Sequence, residues 1–339
     1  MNVPCVRVPR ESGEAARRRL ADAGLLDHDH EITVDEGTLY IPVVDADAVP
    51  DDLAVVDFEP PTRETQTTPA DLLGFEPSYE RLGDIVILDE DDPDRAREIA
   101  DAIVASDLKA ETVVNRASKV KGELRVRDWD VLVGDSTETV HREYGHEFRL
   151  DIDTVYFSPR LATERHRVVE AIQEGEHVFD MFAGVGPFAV PAAAAGAEVV
   201  ACDLNEAAVA FLRENAARND VADRLTAIHG DVREVAADYE GWADRLIMNL
   251  PHSASGFLDT AVRLASDDCV IHLYDIQHED DPFGPGLAAV RAAAEPTYEV
   301  DVVNEHVVRS YAPHEYNVCL DVRLTKRGER AGGDRQTPG

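Results

Sequence analysis

The sequence predicts an α/β chain in which a doubly wound parallel sheet with an antiparallel edge hairpin follows two smaller α/β or α+β domains. Three observations predict it. From about residue 151 strand, loop and helix patterns alternate, which specifies a parallel sheet with helices on both faces. A glycine-rich loop follows the first of those strands. A polar stretch bracketed by prolines, Glu59 to Pro69, separates a short N-terminal unit from the remainder.

After an apolar start, a helix is expected from about Ser12 to Gly24. Short alternating runs at Ile32–Val34 and Leu39–Val44 read as strands, so residues 1–60 form a small α/β domain. Residues 61–69 have linker composition. In a middle domain, 70–150, the apolar run Asp84-Ile-Val-Ile-Leu88 and a helix from Pro93 to Ser106 precede runs that alternate like strands. In the third domain, 151–325, His177-Val-Phe-Asp180 leads into the glycine loop and an Ala-rich helix, and Ala197–Asp203 precedes a helix to about Asn219. Leu225–His229 then ends at Asp231, Arg245–Met248 ends at Asn249, and Cys269–Tyr274 is a fifth strand. Tyr298–Val308 and Tyr316–Leu324 face each other as the edge hairpin. Residues 326–339 read as a disordered tail.

Composition narrows the function classes. The 339 residues fit two or three domains, and 44% apolar content supplies a core despite a formal net charge of −35. Only four lysines are present, and nearly all positive charge is Arg, which suggests a high-salt cytoplasm where carboxylates keep the surface hydrated. No stretch approaches about 18 apolar residues and the start lacks the apolar segment of a signal peptide, so a soluble, cytoplasmic protein without membrane partners is expected. Cys5, Cys202, Cys269 and Cys319 stand too far apart for a CxxC metal site or a disulfide framework, so reduced thiols and no metal are expected.

The strongest motif is Asp180-Met-Phe-Ala-Gly184-Val-Gly186, whose glycines let the backbone approach a ligand closely. Asp203, at the end of the second strand, can accept both ribose hydroxyls of a nucleoside cofactor. Asp231, ending the third strand, can take an exocyclic amine of adenine. These placements fit a nicotinamide or flavin dinucleotide and S-adenosyl-L-methionine alike. The fourth strand separates them. It ends in Asn249-Leu-Pro251-His252, a polar side chain and a rigid backbone carbonyl at the mouth of the sheet, and this corner resembles the (D/N)PPY-type motif of methyltransferases that act on nitrogen. An amide-like ring nitrogen such as guanine N1 carries a proton, so a base must remove it while a cation stabilises charge on the ring oxygen. Tyr156-Phe-Ser-Pro-Arg160-Leu-Ala-Thr-Glu164-Arg165 supplies candidates: Glu164 is the carboxylate, and Arg160, four residues earlier, shares its helical face if the segment is helical. Lys109 to Arg127 carries six basic residues against Glu111 and Glu123, the reverse of the acidic background, as a phosphate-facing surface requires.

Taken together, the glycine loop, Asn249-Leu-Pro, Phe157-Ser-Pro-Arg-Leu-Ala-Thr-Glu-Arg and Ser310-Tyr-Ala-Pro resemble the archaeal and eukaryotic tRNA (guanine-37 N1)-methyltransferases in their three-domain archaeal form. The resemblance runs from about Gly122 to Leu324. It implies a class I S-adenosylmethionine-dependent methyltransferase with a Rossmann-like sheet. The substrate implied is tRNA with guanine at position 37, methylated on N1 by a monomer whose first domain contacts the outer corner of the tRNA. By the same resemblance Glu164 is the general base and Arg125, with Arg127 as competitor, stabilises the guanine oxygen. Asn249 and Pro251 hold the base. Arg165, Phe182, Asp203, Leu204, Asp231 and Val232 match cofactor-contacting positions, with Asp180, Gly184, Gly186 and Asn249 beside them. Lys119, Lys121, Arg125, Arg127 and Tyr156 are the expected tRNA contacts. His252 stands where many archaeal members have Lys. The rival reading is the homologous aminocarboxypropyl transferase of the wybutosine pathway, which uses the same cofactor but donates a different arm.

Overall fold

A computed structural model describes residues 2–63, 66–118, 122 and 126–328. The chain divides into two compact units, residues 1–76 with 102–108, and residues 77–101 with 109–339.

In the first unit, β1 (Val3–Pro9), β2 (Thr33–Asp35), β3 (Thr38–Pro42) and β4 (Ala54–Phe58) form an antiparallel sheet in the order β2-β3-β1-β4. Alternation along β1 turns Val6 and Val8 inward. They meet Ala16 and Leu20, four apart on α1 (Gly13–Asp22), and Ile41 of β3. The residues read as a linker are partly tied to this unit: Glu31 N–H donates to the Pro61 carbonyl (2.8 Å), and Arg63 N–H donates to that of Asp29 (2.7 Å). Thr68 caps α2 (Pro69–Leu73) in a reciprocal capping box with Asp71. The first unit runs on through residue 76 and takes in residues 102–108.

In the second unit, β5 (Glu80–Leu82), β6 (Ile85–Leu88), β7 (Thr112–Arg116) and β8 (Trp129–Val133) form a four-stranded sheet, with α3 (Pro93–Ala105) joining β6 to its parallel neighbour β7. A hairpin of β9 (Glu138–Glu143) and β10 (His146–Asp151) leads to α4 (Ala162–Glu170). The larger sheet contains β11 (His177–Asp180), β12 (Glu198–Asp203), β13 (Leu225–His229), β14 (Ala243–Met248), β15 (Ala265–His278), β16 (Tyr298–Ala312) and β17 (Glu315–Lys326). Its order is β13-β12-β11-β14-β15-β17-β16, parallel from β11 to β15, with β17 antiparallel to both its neighbours. The expected edge hairpin is present and longer than its apolar runs. Lys326, expected in a disordered tail, closes β17, while residues 329–339 lie outside the described residues.

Near-continuous apolar runs in the parallel strands supply both faces of this sheet. Val178, Val199, Ala201 and Ile247 pack toward α4, α5 (Ala189–Ala194) and α6 (Glu206–Arg218). Phe179, Val200, Cys202, Leu246 and Met248 pack toward α7 (Val232–Val235), α8 (Leu258–Leu264) and α9 (Gly284–Ala294). Leu82, Ile85, Ile87 and Val114 of the smaller sheet join the first cluster, which is why most of the expected middle domain groups with the seven-stranded sheet. All four cysteines are free and buried. No helix among the described residues is long and apolar enough to cross a membrane.

Candidate active site

The loop after β11 shapes the site. Gly184 (φ +54°) and Gly186 (φ +92°) adopt left-handed backbone, and a Cβ on Gly186 would stand 2.4 Å from Leu212 Cδ1. Gly186 therefore lets α6 close beneath the loop, while Gly184 lines a cavity of about 700 Å³ above it. That cavity lies at the carboxyl ends of the parallel strands, where ligands of doubly wound sheets bind. Of the residues selected from sequence, Tyr156, Arg165, Phe182, Asp203, Leu204, Asp231, Val232, Asn249 and Pro251 also line it.

Three aspartates set its electrostatics. Asp203 accepts from Gly184 N–H (2.7 Å) and Asn205 N–H (2.8 Å), and burial raises its pKa. Asp231 caps α7 and pairs with Arg233, whose hydrogen bond holds its carboxyl below the usual range. Asp180 is fully buried. Burial, with the negative charge of Asp203 adding to it, pushes its pKa up to about 8 against one weak bond from Phe182 N–H (3.4 Å). Its Oδ2 has no hydrogen-bond partner. Arg165, 3% exposed, grips Glu143 with two bonds of 2.7 Å and donates to the Ser158 carbonyl (3.1 Å), which fixes a compensated cation at the wall.

Glu164 does not line the cavity. It sits 4% exposed in the first turn of α4, gripped by Arg167 through two bonds of 2.7 Å. The Tyr274 hydroxyl donates to its Oε1 (2.7 Å), and His306 Nε2 stands 3.3 Å from Oε2. Tyr274, Cys319 and His306 are register partners across β15, β17 and β16, and the next row, Ile276, Asn317 and Arg309, does line the cavity. Glu164 is thus one side-chain row beneath the wall, about 7 Å along the strands.

Arg160 and Glu164 do not share a helical face. Pro159–Leu161 forms a 3-10 turn before α4, which breaks the four-residue spacing, and Arg160 pairs instead with Glu80, shared with Arg116. Arg160, Arg116, Arg127 and Tyr156 line a second cavity of about 130 Å³, in which Arg127 lies over the Trp129 ring at 5.4 Å. Burial and the neighbouring Arg116 charge lower the Arg127 pKa. Lys119, Lys121 and Arg125 lie outside the described residues.

Sequence reasoning missed Arg309, Asn317 and a buried network behind Glu164. Arg167 also donates to Asp321 (2.7 Å), His272 Nδ1 stands 2.6 Å from Asp321, and Arg245 stands 2.7 Å from His272 Nε2. Potential metal-ligand atoms of His272, Cys319 and Asp321 cluster within 4.8 Å, but Arg167 and Arg245 already supply their positive partners. The only signal was polar residues inside apolar strands, such as His272 in Val270-Ile-His-Leu and Asp321 in Cys319-Leu-Asp-Val.

Comparison with known proteins gives three family matches: the TRM5/TYW2 methyltransferase domain at residues 139–303, the tRNA methyltransferase 5 N-terminal domain at 5–50, and the TYW2 N-terminal domain at 65–137. A Pyrococcus abyssi protein named tRNA (guanine(37)-N(1))-methyltransferase Trm5b is 41% identical, covering 94% of this chain and 98% of that protein. A tRNA(Phe) (4-demethylwyosine(37)-C(7)) aminocarboxypropyltransferase of Pyrococcus horikoshii is 34% identical over 79% of this chain and 98% of its own. The solved complex of aTrm5 with tRNALeu superposes with a TM-score of 0.71 at 32% identity, covering 95% of this chain and 99% of that one.

Proposed function

The chain belongs to the TRM5/TYW2 methyltransferase family, and we propose that it is a tRNA (guanine37-N1)-methyltransferase that takes its methyl group from S-adenosyl-L-methionine. The observation that carries this reading is the corner Asn249-Leu-Pro251 on the wall of the strand-end cavity, with the Asn249 carboxamide oxygen buried and unpartnered. An orphaned acceptor at that place suits an incoming N–H. The 41% identity along nearly the whole chain, first domain included, supports methyl transfer over aminocarboxypropyl transfer, whose relative spans 79% of the chain.

The residues present fit the cofactor. The glycine loop offers close backbone approach, Asp203, Asp231 and Val232 line the cavity where they would take the ribose and flank the adenine, and Asp180 keeps an unpartnered carboxylate oxygen beneath the loop. When bound, the cofactor supplies an electrophilic methyl on a sulfonium. Asn249 and Pro251 would hold the guanine and orient N1 toward the cofactor's place. Glu164 takes the N1 proton, for which N1 must come within about 2.6–3.2 Å of it, directly or through one water. Arg125 or Arg127 stabilises the charge left on the guanine oxygen. Arg160, committed to Glu80, supports this wall rather than the base. The local arginines, with Lys119, Lys121 and Tyr156, contact the tRNA. The −35 charge with four lysines supports a high-salt cytoplasm, where a Debye length of about 3 Å at 1 M salt screens repulsion of the nucleic acid.

The co-product tests the reaction class. Methyl transfer releases S-adenosylhomocysteine, which chromatography of a reaction with unmodified tRNA will detect; methylthioadenosine would install the aminocarboxypropyl reading instead. Asp203→Ala should weaken cofactor affinity at least about tenfold, the scale of one lost hydrogen bond to a charged group, with equilibrium dialysis as the readout. Unchanged affinity would refute the ribose assignment.

Asp180 gives a pH dependence. Its folded pKa is raised from 3.8 to about 8, so between those values the folded, ligand-free protein holds a proton that the unfolded chain releases. Its contribution to stability is full below pH 3.8 and is lost as pH rises toward 8. A cationic cofactor beside it favours the carboxylate, so binding should release a proton and tighten from about pH 6 to pH 8. Calorimetry in buffers of different ionisation enthalpy reads that proton. Asp180→Asn should abolish its release and should melt above wild type by a margin that grows with pH.

A further inference from the structure

Among the described residues, five buried side-chain nitrogen or oxygen atoms have no hydrogen-bond partner: Arg116 Nε, Asp180 Oδ2, Asn249 Oδ1, Arg309 Nε and Asn317 Oδ1. Native proteins keep few such groups, and each calls for an explanation. Three of the five, on Asn249, Arg309 and Asn317, belong to the wall of the large cavity. Arg309 also lines the smaller basic cavity with Tyr156, so it stands where the two meet.

The placement is built by the edge hairpin. Arg309 of β16 and Asn317 of β17 are direct register partners, and Asn317, 3% exposed, is in turn the partner of Ile276. The β16 register shifts between Val307 and Arg309, an irregularity of the kind that re-aims a side chain next to an active site. Asn249 reaches the same cavity from the end of β14.

The chemistry of the three atoms is directional. An arginine Nε–H only donates, and a carboxamide oxygen only accepts. The reacting edge of guanine offers the O6 acceptor beside the N1–H and N2–H donors. Adenine offers an N6 donor beside an N1 acceptor, so one donor with two acceptors complements guanine and opposes adenine. We propose that Arg309 and Asn317, with Asn249, read the target guanine, Arg309 Nε–H donating to O6 and the Asn317 carboxamide oxygen accepting from the N2 amino group. The assignment deepens the tRNA methyltransferase reading and rests on it. Arg309 then also faces the oxygen on which charge grows as the N1 proton leaves. A pair that served only to join β16 to β17 would change stability without changing base preference.

The test is single-turnover methylation by the full chain, at saturating S-adenosylmethionine in high KCl, of transcripts carrying guanosine or inosine at position 37. Inosine lacks only the 2-amino group. Wild type should prefer guanosine at least about fivefold, the scale of one lost hydrogen bond, and Asn317→Leu should bring that ratio to about one. Arg309→Met should slow the guanosine reaction at least about thirtyfold while cofactor affinity stays within about twofold. Arg309→Lys keeps the charge without the Nε donor, and it should also be slow if Arg309→Met fails to fold. Wild type that does not distinguish guanosine from inosine overturns the Asn317 assignment. Arg309 variants that fold, bind cofactor and methylate guanosine within about twofold of wild type overturn the Arg309 assignment and leave the enzyme reading standing. Wild type that forms no product on guanosine overturns both.

Discussion

Glu164→Gln is expected to lower the single-turnover rate of methyl transfer about a hundredfold, the lower end of what a positioned base contributes. Cofactor affinity should stay within about twofold, because Glu164 does not line the cofactor cavity. Gln keeps the size of the side chain and can still accept from Tyr274, but its NH2 then faces the Arg167 Nε–H, so urea denaturation of the variant accompanies the rate measurement to separate lost proton transfer from a disturbed ion pair. His306, 41% exposed, stands 3.3 Å from Oε2, within reach of a proton taken up by Glu164. Rapid quench on guanosine-37 transcripts measures the effect, and an unchanged rate would remove Glu164 as the base.

The largest stability effect is expected from Arg167→Met. The Arg167 guanidinium bridges Glu164 and Asp321, whose side chains are 3% and 4% exposed. Burial alone would favour the neutral guanidine, but hydrogen bonds to both carboxylates hold Arg167 firmly charged. Burial would also raise the Asp321 pKa, yet His272 and Arg167 keep it well below the usual carboxylate range. His272 itself is pushed down by burial, consistent with a neutral ring whose Nδ1–H donates to Asp321 and whose Nε2 accepts from Arg245. Removing the central cation leaves two buried carboxylates uncompensated, a loss of about 3–5 kcal/mol. Urea denaturation at fixed KCl measures it. Because the Asp321 pKa is depressed, the contribution is present above its usual value of 3.8 and is lost as pH falls through the folded value. A variant as stable as wild type at neutral pH would show that the network carries no such load.

Much of the site was legible in local pattern. The glycine loop, the strand-end aspartates and the Asn-Leu-Pro corner each owe their place to a strand ending where periodicity ends, and residues spaced along the sequence converge because parallel strands all end at one edge. What was illegible depends on partners far along the chain. Tyr274 reaches Glu164 across 110 residues, and Asp321 reaches Arg167 across 154. No local spacing encodes either contact. Arg160 misled because four-residue spacing implies one face only inside an α-helix, and Pro159 opens a 3-10 turn there. The basic island was real as composition, but Arg116 within it is engaged by Glu80 and Asp89, so its charge is already compensated.

Nucleoside mass spectrometry reads N1 methylation of guanosine 37 directly. Purified protein in high-KCl buffer, with S-adenosylmethionine and unmodified transcripts bearing guanosine or adenosine at position 37, should yield one-methylguanosine from the guanosine transcript alone. A folded, cofactor-binding protein that yields none, or that attaches an aminocarboxypropyl group instead, would contradict N1 methylation of guanosine 37 as its reaction.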